Sequence, residues 1–350
     1  MEDRKLKREM SIGGVKIGGK NKIAVQSMTN TDTRDVKATA AQIKRLEEAG
    51  CDIVRCAVPD AEAAEAMGRI REEVKIPLVA DIHFDYRLAI RCMELGINKI
   101  RINPGNIGSR SRVREVVECA ACYGVPIRIG VNGGSLERDL IEKYKRPTAE
   151  ALVESAFRHV EILEDLNFHN TVVSIKVSDV PEMMKAYRIF HNMSDIPLHV
   201  GVTEAGTERM GIIKSAVGIG GLLSEGIGDT IRVSLTADPV AEVYAARDIL
   251  AALGLADGGV KFVSCPTCGR TQIDLISIAR EVEERLKGVD KNIKVAVMGC
   301  AVNGPGEARD ADVGIAGGKG SGLIFTRGQI LRKVPEDRLV DELFKEIEKL

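Results

Sequence analysis

Eight short runs rich in valine and isoleucine recur along the first two thirds of this 350-residue chain, at residues 22–27, 52–58, 77–83, 99–103, 126–132, 172–178, 197–204 and 230–234. Each is followed by a polar or glycine-containing loop and then by a stretch in which apolar residues return at helical spacing. A strand that leads into a helix before the next strand can pair beside it only in parallel. Eight such units are the number that closes a (β/α)8 TIM barrel. The helix stops keep the same phase: Gly50 and Gly96 each stand just after a helical pattern and just before the next run, where a left-handed residue ends a helix. One interval is too long for a single helix. Between the fifth and sixth runs, residues 136–146 read as an extra helical insertion before Pro147 opens the regular helix.

The pattern changes after the eighth unit. Residues 250–260 end a helix in a glycine-rich stretch, which places a domain boundary near Asp257, with the barrel over 1–257 and a smaller domain over 258–350. That remainder reads as a strand into Cys265, a helix over 272–287, a strand over 293–298, two further strands near 313–316 and 322–325, and a closing amphipathic helix from Pro335. This is an α+β arrangement of about ninety residues, a size that folds alone without much to spare. The glycine-rich stretch 317–322 is expected to turn a hairpin rather than to hold phosphate.

Five of the runs carry a base in corresponding places: Arg55, Arg101, Arg128, Lys176 and Arg232. A single arginine in a strand usually marks a solvated face or a local ion pair, but the strands of a parallel barrel have no solvated face, because helices cover the outside. Cations repeated there must point into the barrel mouth and require a counter-anion. Arginine suits bidentate contact with phosphate oxygens, and Asn103, Asn132, Ser135, Ser178, Ser234 and Thr236 lie downstream as further donors. The expected ligand is a polyanion, most simply a diphosphate. Asp81 and His83 at the end of the third run, with His199 and Glu204 in the seventh, add acid–base candidates to the same rim. The plainer role for Asp81 and Glu204 is to neutralise the arginines. His159, His169 and His191 fall on helices or loops and carry no such expectation.

Of the eight cysteines, Cys51, Cys56 and Cys92 sit in apolar strand or helix patterns and are expected in the core. Cys119-Ala-Ala-Cys122 ends a helical pattern, with no glycine or proline to form a knuckle. The other three differ. Cys265-Pro-Thr-Cys268-Gly and Met298-Gly-Cys300 stand beside turn-forming residues and are followed by Asn303-Gly-Pro-Gly-Glu307, with no fourth cysteine in that half of the chain. A structural zinc site closes with four cysteine or histidine ligands, whereas an iron–sulfur site accepts a weaker fourth ligand and can leave one iron open to substrate. Three thiolates and an available carboxylate therefore favour an iron–sulfur cluster.

Charge narrows the partners. The 50 lysines and arginines balance 51 aspartates and glutamates, so no global positive field points to nucleic acid and no basic tail to an anionic membrane. The first residues lack the apolar core of a signal peptide, and no apolar run reaches the roughly 18 residues that could span a bilayer. A cytoplasmic protein is expected.

Eight motifs carry a family resemblance: Gln26-Ser-Met-Thr-Asn, Val54-Arg-Cys-Ala-Val-Pro59, Ala80-Asp-Ile-His-Phe84, Ile100-Arg-Ile-Asn-Pro-Gly-Asn106, Gly130-Val-Asn-Gly-Gly-Ser135, His199-Val-Gly-Val-Thr-Glu-Ala-Gly206, Cys265-Pro-Thr-Cys-Gly-Arg270 and Gly299-Cys-Ala-Val-Asn-Gly-Pro-Gly-Glu307. In this order, across two unlike domains, they resemble the bacterial 4-hydroxy-3-methylbut-2-enyl diphosphate synthases, in the shorter form whose barrel runs straight into the cluster domain. The resemblance implies reductive ring opening of 2-C-methyl-D-erythritol 2,4-cyclodiphosphate to linear (E)-4-hydroxy-3-methylbut-2-enyl diphosphate. Water is lost, and the step is a two-electron reduction in the non-mevalonate isoprenoid pathway. It also implies one 4Fe-4S cluster held by Cys265, Cys268, Cys300 and Glu307, with electrons from reduced flavodoxin or ferredoxin. A homodimer is implied, in which the cluster domain of one subunit caps the barrel of the other. On this resemblance the arginines and Lys176 hold the cyclic diphosphate, and Glu204 handles a proton near the reacting carbon, with Asp81, His83 and His199 in support. Two other readings of the residues stay open at this point. One is a barrel aldolase or pterin-synthase-like enzyme with a zinc-stabilised appendage; the other is an iron–sulfur redox-sensing module on a binding scaffold.

Overall fold

The computed structural model describes residues 6–256, 258–287, 289, 291–300 and 308–350, without the side chains of residues 104 and 105. Two compact units divide between Leu255 and Ala256. Asp257, where the sequence places the boundary, and Glu307 lie outside the described residues.

The first unit opens with an antiparallel hairpin, β1 (Met10–Ile12) and β2 (Val15–Ile17). The barrel strands follow: β3 (Ala24–Met28), β4 (Ile53–Ala57), β5 (Leu78–Asp81), β6 (Lys99–Ile102), β7 (Ile127–Asn132), β8 (Thr171–Lys176), β9 (His199–Val200) and β10 (Thr230–Ile231). They neighbour one another in the order β8-β7-β6-β5-β4-β3-β10-β9, all parallel. A lone parallel bridge between Val173 and Leu198 joins the two ends and closes the ring. The (β/α)8 TIM barrel read from the sequence is therefore the fold, although β9 and β10 are only two residues long.

Local chemistry sets where each helix begins and ends. Asp35, Asp60, Asp85, Asp179 and Asp238 each accept a backbone N–H in the first turn of the helix after their strand, satisfying a donor that has no partner within the helix. Gly50 and Gly96, at φ +91° and +80°, stand past the helices before β4 and β6, where a side chain would be strained. The long interval holds a 3-10 turn at Gly133–Ser135 and a short helix at Arg138–Tyr144. Thr148, rather than Pro147, caps the helix Ala149–Glu164.

The β1–β2 hairpin is too short to register in a periodicity reading. It buries Ile12 and Ile17 against Ala24, Ile53, Val79 and Val172, which lie at the starts of β3, β4, β5 and β8. The hairpin thereby plugs the N-terminal end of the barrel. The C-terminal end, where barrel loops can carry chemistry, stays open.

The second unit is a five-stranded sheet among the described residues, in the order β11 (Lys261–Ser264), β12 (Lys294–Met298), β13 (Val313–Gly318), β14 (Ser321–Thr326) and β15 (Gln329–Pro335). The first three are parallel and the last three antiparallel. Val295 and Val297 pack with the helices Leu275–Leu286 and Leu339–Lys349, whereas Ala296 and Met298 pack with Ala316 and Phe325 on the opposite face. The stretch 317–322 does turn a hairpin, with Gly318 paired to Ser321. Strand β15 is an addition to the sequence reading, and the last helix starts at Leu339 rather than Pro335. As a mostly exposed edge strand carrying Arg332 and Lys333, β15 lacks the apolar signature of its neighbours.

Cys51, Cys56 and Cys92 are buried, as expected of core thiols. Cys119 is half-buried and Cys122 exposed on the helix Arg110–Tyr123. No helix among the described residues is long and apolar enough to cross a membrane.

Candidate functional site

A cavity of about 640 Å³ opens at the C-terminal end of the barrel. All five strand-borne bases line it: Arg55 from β4, Arg101 from β6, Arg128 from β7, Lys176 from β8 and Arg232 just past β10. Period-two alternation puts these side chains inside, and the strand register brings them to neighbouring places: Arg101 pairs across from Arg128, and Asp81 across from Arg101. Gly130 makes room for the ring of cations, because a Cβ there would sit 2.7 Å from Arg101 Nε.

Two buried carboxylates stand among the five cations. Asp81 accepts a hydrogen bond from Arg101 Nη1 at 3.0 Å, and its other oxygen lies 3.7 Å from Arg55 Nε and 3.6 Å from His83 Nε2. Burial alone would raise the Asp81 pKa, but Arg55, the His83 contact, Arg101 and Arg128 together hold it well below the usual carboxylate range. Asp81 is thus a fixed anion rather than a proton donor. Glu242, on the helix Pro239–Ala252, accepts from Leu235 N at 2.9 Å and Ser27 Oγ at 3.1 Å and lies 3.5 Å from Arg232 Nη2. Met28 adds a softer contact, its sulfur 2.9 Å from Arg55 Nη2.

The balance leaves positive charge uncompensated. Burial first, then repulsion from Arg55 and Arg101, pushes the Arg128 pKa well below its ordinary value. Burial lowers that of Arg55 to about 10, with Asp81 resisting and Arg232 and Arg101 assisting. Among the described residues no acceptor meets Arg101 Nε, Arg128 Nε, Arg128 Nη1 or Arg232 Nε. A buried donor without a partner costs about 1–3 kcal/mol, so the cavity wall favours any ligand that brings acceptor oxygens.

The remaining expected residues divide. Asn132, Ser135, Ser178 and Ser234 line the cavity, as do His83 and Glu204 at its rim. Glu204 holds a positive φ of +52°, a strained backbone for a residue with a side chain. Asn103 is buried and does not line the cavity, and Thr236 is exposed outside it.

His199 departs furthest from expectation. It is 0% exposed and sits in register with Thr230 and Ala24, low in the barrel, its Nδ1 2.7 Å from Thr230 Oγ1. Burial, reinforced by Arg128, Lys176, Lys99 and Arg55, drives its pKa well below 6.5. A neutral imidazole sealed at that depth is an internal hydrogen-bonding group, not a rim acid or base.

Several residues of the site escaped the sequence reading. Ser174 and Thr203 line the cavity; Ser174 lies two residues before Lys176 on the same strand face, and Thr203 beside Glu204, so alternation and adjacency were the available signals. Glu242, on the outer helix, had none, because only helix packing brings it to the cations.

In the second unit, Cys265 follows β11, and Gly299 and Cys300 follow the adjacent β12, so the two loops leave the same edge of parallel strands. Gly299 N donates to Cys265 Sγ at 3.1 Å, Gln272 N to Gly299 O at 3.0 Å and Thr271 N to Cys268 O at 3.0 Å. These bonds tie the three cysteine segments together. The backbone N–H of Arg270, against slight burial and helped by the Arg270 charge, holds the Cys268 thiol below its ordinary pKa. Among the described residues no three cysteine, histidine or carboxylate side chains converge as one metal ion would require.

A closed parallel barrel whose mouth is walled by guanidinium groups with unmet donors defines a TIM-barrel protein suited to bind a phosphorylated or similarly anionic ligand, here joined to a cysteine-bearing domain. The chain belongs to the GcpE family: residues 7–247 match the family's TIM-barrel domain and residues 261–349 its C-terminal domain. It is 62% identical over 343 residues to the 4-hydroxy-3-methylbut-2-en-1-yl diphosphate synthase (flavodoxin) of Clostridium acetobutylicum, covering 98% of each chain. It is 59% identical to the protein of that name from Ruminiclostridium cellulolyticum, covering all of both chains. Among solved structures, dihydropteroate synthase from Stenotrophomonas maltophilia superposes with a TM-score of 0.52 over 70% of this chain and 97% of its own. At 14% identity, that likeness is one of fold alone.

Proposed function

We propose that this chain is a 4-hydroxy-3-methylbut-2-en-1-yl diphosphate synthase, which reductively opens and dehydrates 2-C-methyl-D-erythritol 2,4-cyclodiphosphate. The observation that carries the reading is the union of a barrel mouth of four buried bases and the partly buried Arg232 with a separate Cys265, Cys268 and Cys300 cluster of loops, in a chain about 60% identical to proteins of that name. A diphosphate supplies the acceptors that Arg101, Arg128 and Arg232 lack within the protein. Fixed guanidinium charges also favour the negative charge released as the ring opens, with no reorganisation required at that moment.

Asp81 holds Arg55 and Arg101 in place and stays ionised throughout. Glu204, which lines the cavity, is the carboxylate assigned the proton needed when a hydroxyl leaves as water, and its positive φ supports a functional position. His83, at the rim beside Asp81, serves as its polar neighbour.

The cysteine loops fit a 4Fe-4S cluster with Cys265, Cys268, Cys300 and Glu307 as ligands. A multi-iron cluster spreads its thiolates more widely than one ion does, and the Gly299 N–H bonded to Cys265 Sγ is the kind of donor that stabilises a sulfur ligand. When bound, the cluster supplies one-electron reducing equivalents and Lewis-acidic iron. Reduced flavodoxin, or ferredoxin, is the proposed donor, and the proposed working unit is a homodimer in which the cluster domain of one subunit caps the barrel of the other.

The reading is tested by anaerobic purification, Mössbauer spectroscopy and turnover of the cyclic diphosphate with a strong reductant. Iron-dependent turnover is expected; full activity in a metal-free or zinc-only protein would overturn it. For the capping arrangement, an Arg128→Ala protein mixed with a Cys268→Ser protein should regain activity as hybrid dimers form. No recovery in hybrids verified by mass would place each complete site within one chain.

A further inference from the structure

Among the described residues that line the cavity, Lys176 is the amine, and the other four strand-borne bases are arginines. Asp81 is engaged by Arg101 and Arg55, and Glu242 by Ser27, Leu235 and Arg232, so among the described residues no acceptor bonds Lys176 Nζ. The side chain is only 8% exposed, and what it exposes faces the cavity. Gly201 keeps a channel for it, since a Cβ there would lie 2.9 Å from Lys176 Nζ. Burial, and then Arg128, Arg232, Arg55 and Arg101, penalise another positive charge at this point and drive the amine's pKa well below 10.5. A desolvated lysine beside other cations is the usual way a protein obtains a nucleophilic amine.

We propose that Lys176 is a covalent capture site for phosphorylated aldehydes, whose phosphate group lies on the arginine wall while the carbonyl carbon meets Nζ. The nitrogen lone pair adds to the carbonyl carbon, one N–H proton passes to the carbonyl oxygen to make a hydroxyl, and the second N–H proton leaves with that hydroxyl as water when the C=N bond forms. Nothing is oxidised or reduced, so no further reactant is needed. Lys99 shows why the cavity matters: it too is buried among cations, but it is 0% exposed and bonded to Gln26 Oε1 at 3.2 Å, out of reach of a ligand. A bound diphosphate takes the arginine wall that the aldehyde's phosphate needs, so diphosphate binding and imine formation exclude each other. The inference rests on the reading of the cavity as a phosphate site, and not on the ring-opening chemistry.

The test treats the full-length, anaerobically purified protein with pyridoxal 5′-phosphate near neutral pH, reduces any imine with cyanoborohydride and maps the modified lysines by peptide mass. Ordinary lysines are almost wholly protonated there, so Lys176 should lead every other lysine by about tenfold or more. Unphosphorylated pyridoxal should label it more weakly, inorganic diphosphate should protect it, and Lys176→Arg should lose the fast phase. Label spread over surface lysines with Lys176 not ahead, or an unchanged fast phase in Lys176→Arg, would overturn the proposal. Rapid labelling of Lys176 that diphosphate does not prevent would uphold the amine's reactivity and instead remove the diphosphate reading of the cavity.

Discussion

Arg101 Nη1 lies 3.0 Å from Asp81 Oδ1, between two residues directly paired on neighbouring barrel strands and both buried. This contact decides between the two roles open to Asp81 in the sequence. A carboxylate held ionised by three arginines and His83 cannot donate a proton at neutral pH; it keeps the cations from repelling one another.

Asp81→Asn should therefore weaken the fold as well as the site. Removing one member of a buried pair costs about 3–5 kcal/mol, visible as a lower Tm at pH 7. The Asp81 pKa is depressed in the folded state, so its contribution is present above the unfolded value of about 3.9 and is lost as pH falls towards the folded value. The variant should show a shallower loss of stability below about pH 4 than the parent, measured by denaturant unfolding across pH. Parallel acid limbs would return Asp81 to a minor role.

Gly130→Ala tests the packing of the arginine wall. The new Cβ would stand 2.7 Å from Arg101 Nε, at the end of a flexible side chain that can move away from Asp81. We expect kcat/KM to fall about tenfold or more, chiefly through KM, with a far-ultraviolet dichroism spectrum like that of the parent. Unaltered kinetics would mean that the guanidinium position is not critical.

Arg128→Met separates function from stability. Arg128 is 1% exposed and has two nitrogens without a protein acceptor, so its burial is a cost borne by the fold. The variant should lose at least about a hundredfold in kcat/KM while Tm stays level or rises. Arg128→Lys should not restore the rate, because an ammonium cannot reproduce a planar two-point contact. Retention of most activity in either protein would demote Arg128 to structure.

Glu307→Ala addresses the proposed fourth cluster ligand. Iron content and turnover should both drop sharply, while the barrel keeps its unfolding transition and still binds inorganic diphosphate in calorimetry. Parental iron content and rate would remove Glu307 from the ligand set.

Much of the site was legible because strand alternation is a strict rule. Arg55, Arg101, Arg128, Lys176 and Arg232 each fall between apolar neighbours, and in a barrel sheathed by helices such a position can only face inward. His199 obeyed the same alternation yet is paired with Thr230, itself level with Ala24, and is sealed beneath the cavity rather than lining it. Glu242 and the β1–β2 hairpin were illegible for another reason: each acts through packing against elements remote in sequence. Strand β15 went unseen because an exposed edge carries no buried face to read.

The sequence by itself determined the eightfold strand–helix order, the second domain, the inward set of bases and the cysteines with chemistry suited to iron, since these follow from periodicity and side-chain type. Tertiary structure alone decided which inward residues share a level, which carboxylates are taken by arginines and which bases, Arg128 and Lys176, are left without one. Alternation fixes the face of a strand on which a side chain lies. Its height along the barrel depends on the stagger between hydrogen-bonded neighbours, a relation between strands that no single segment encodes.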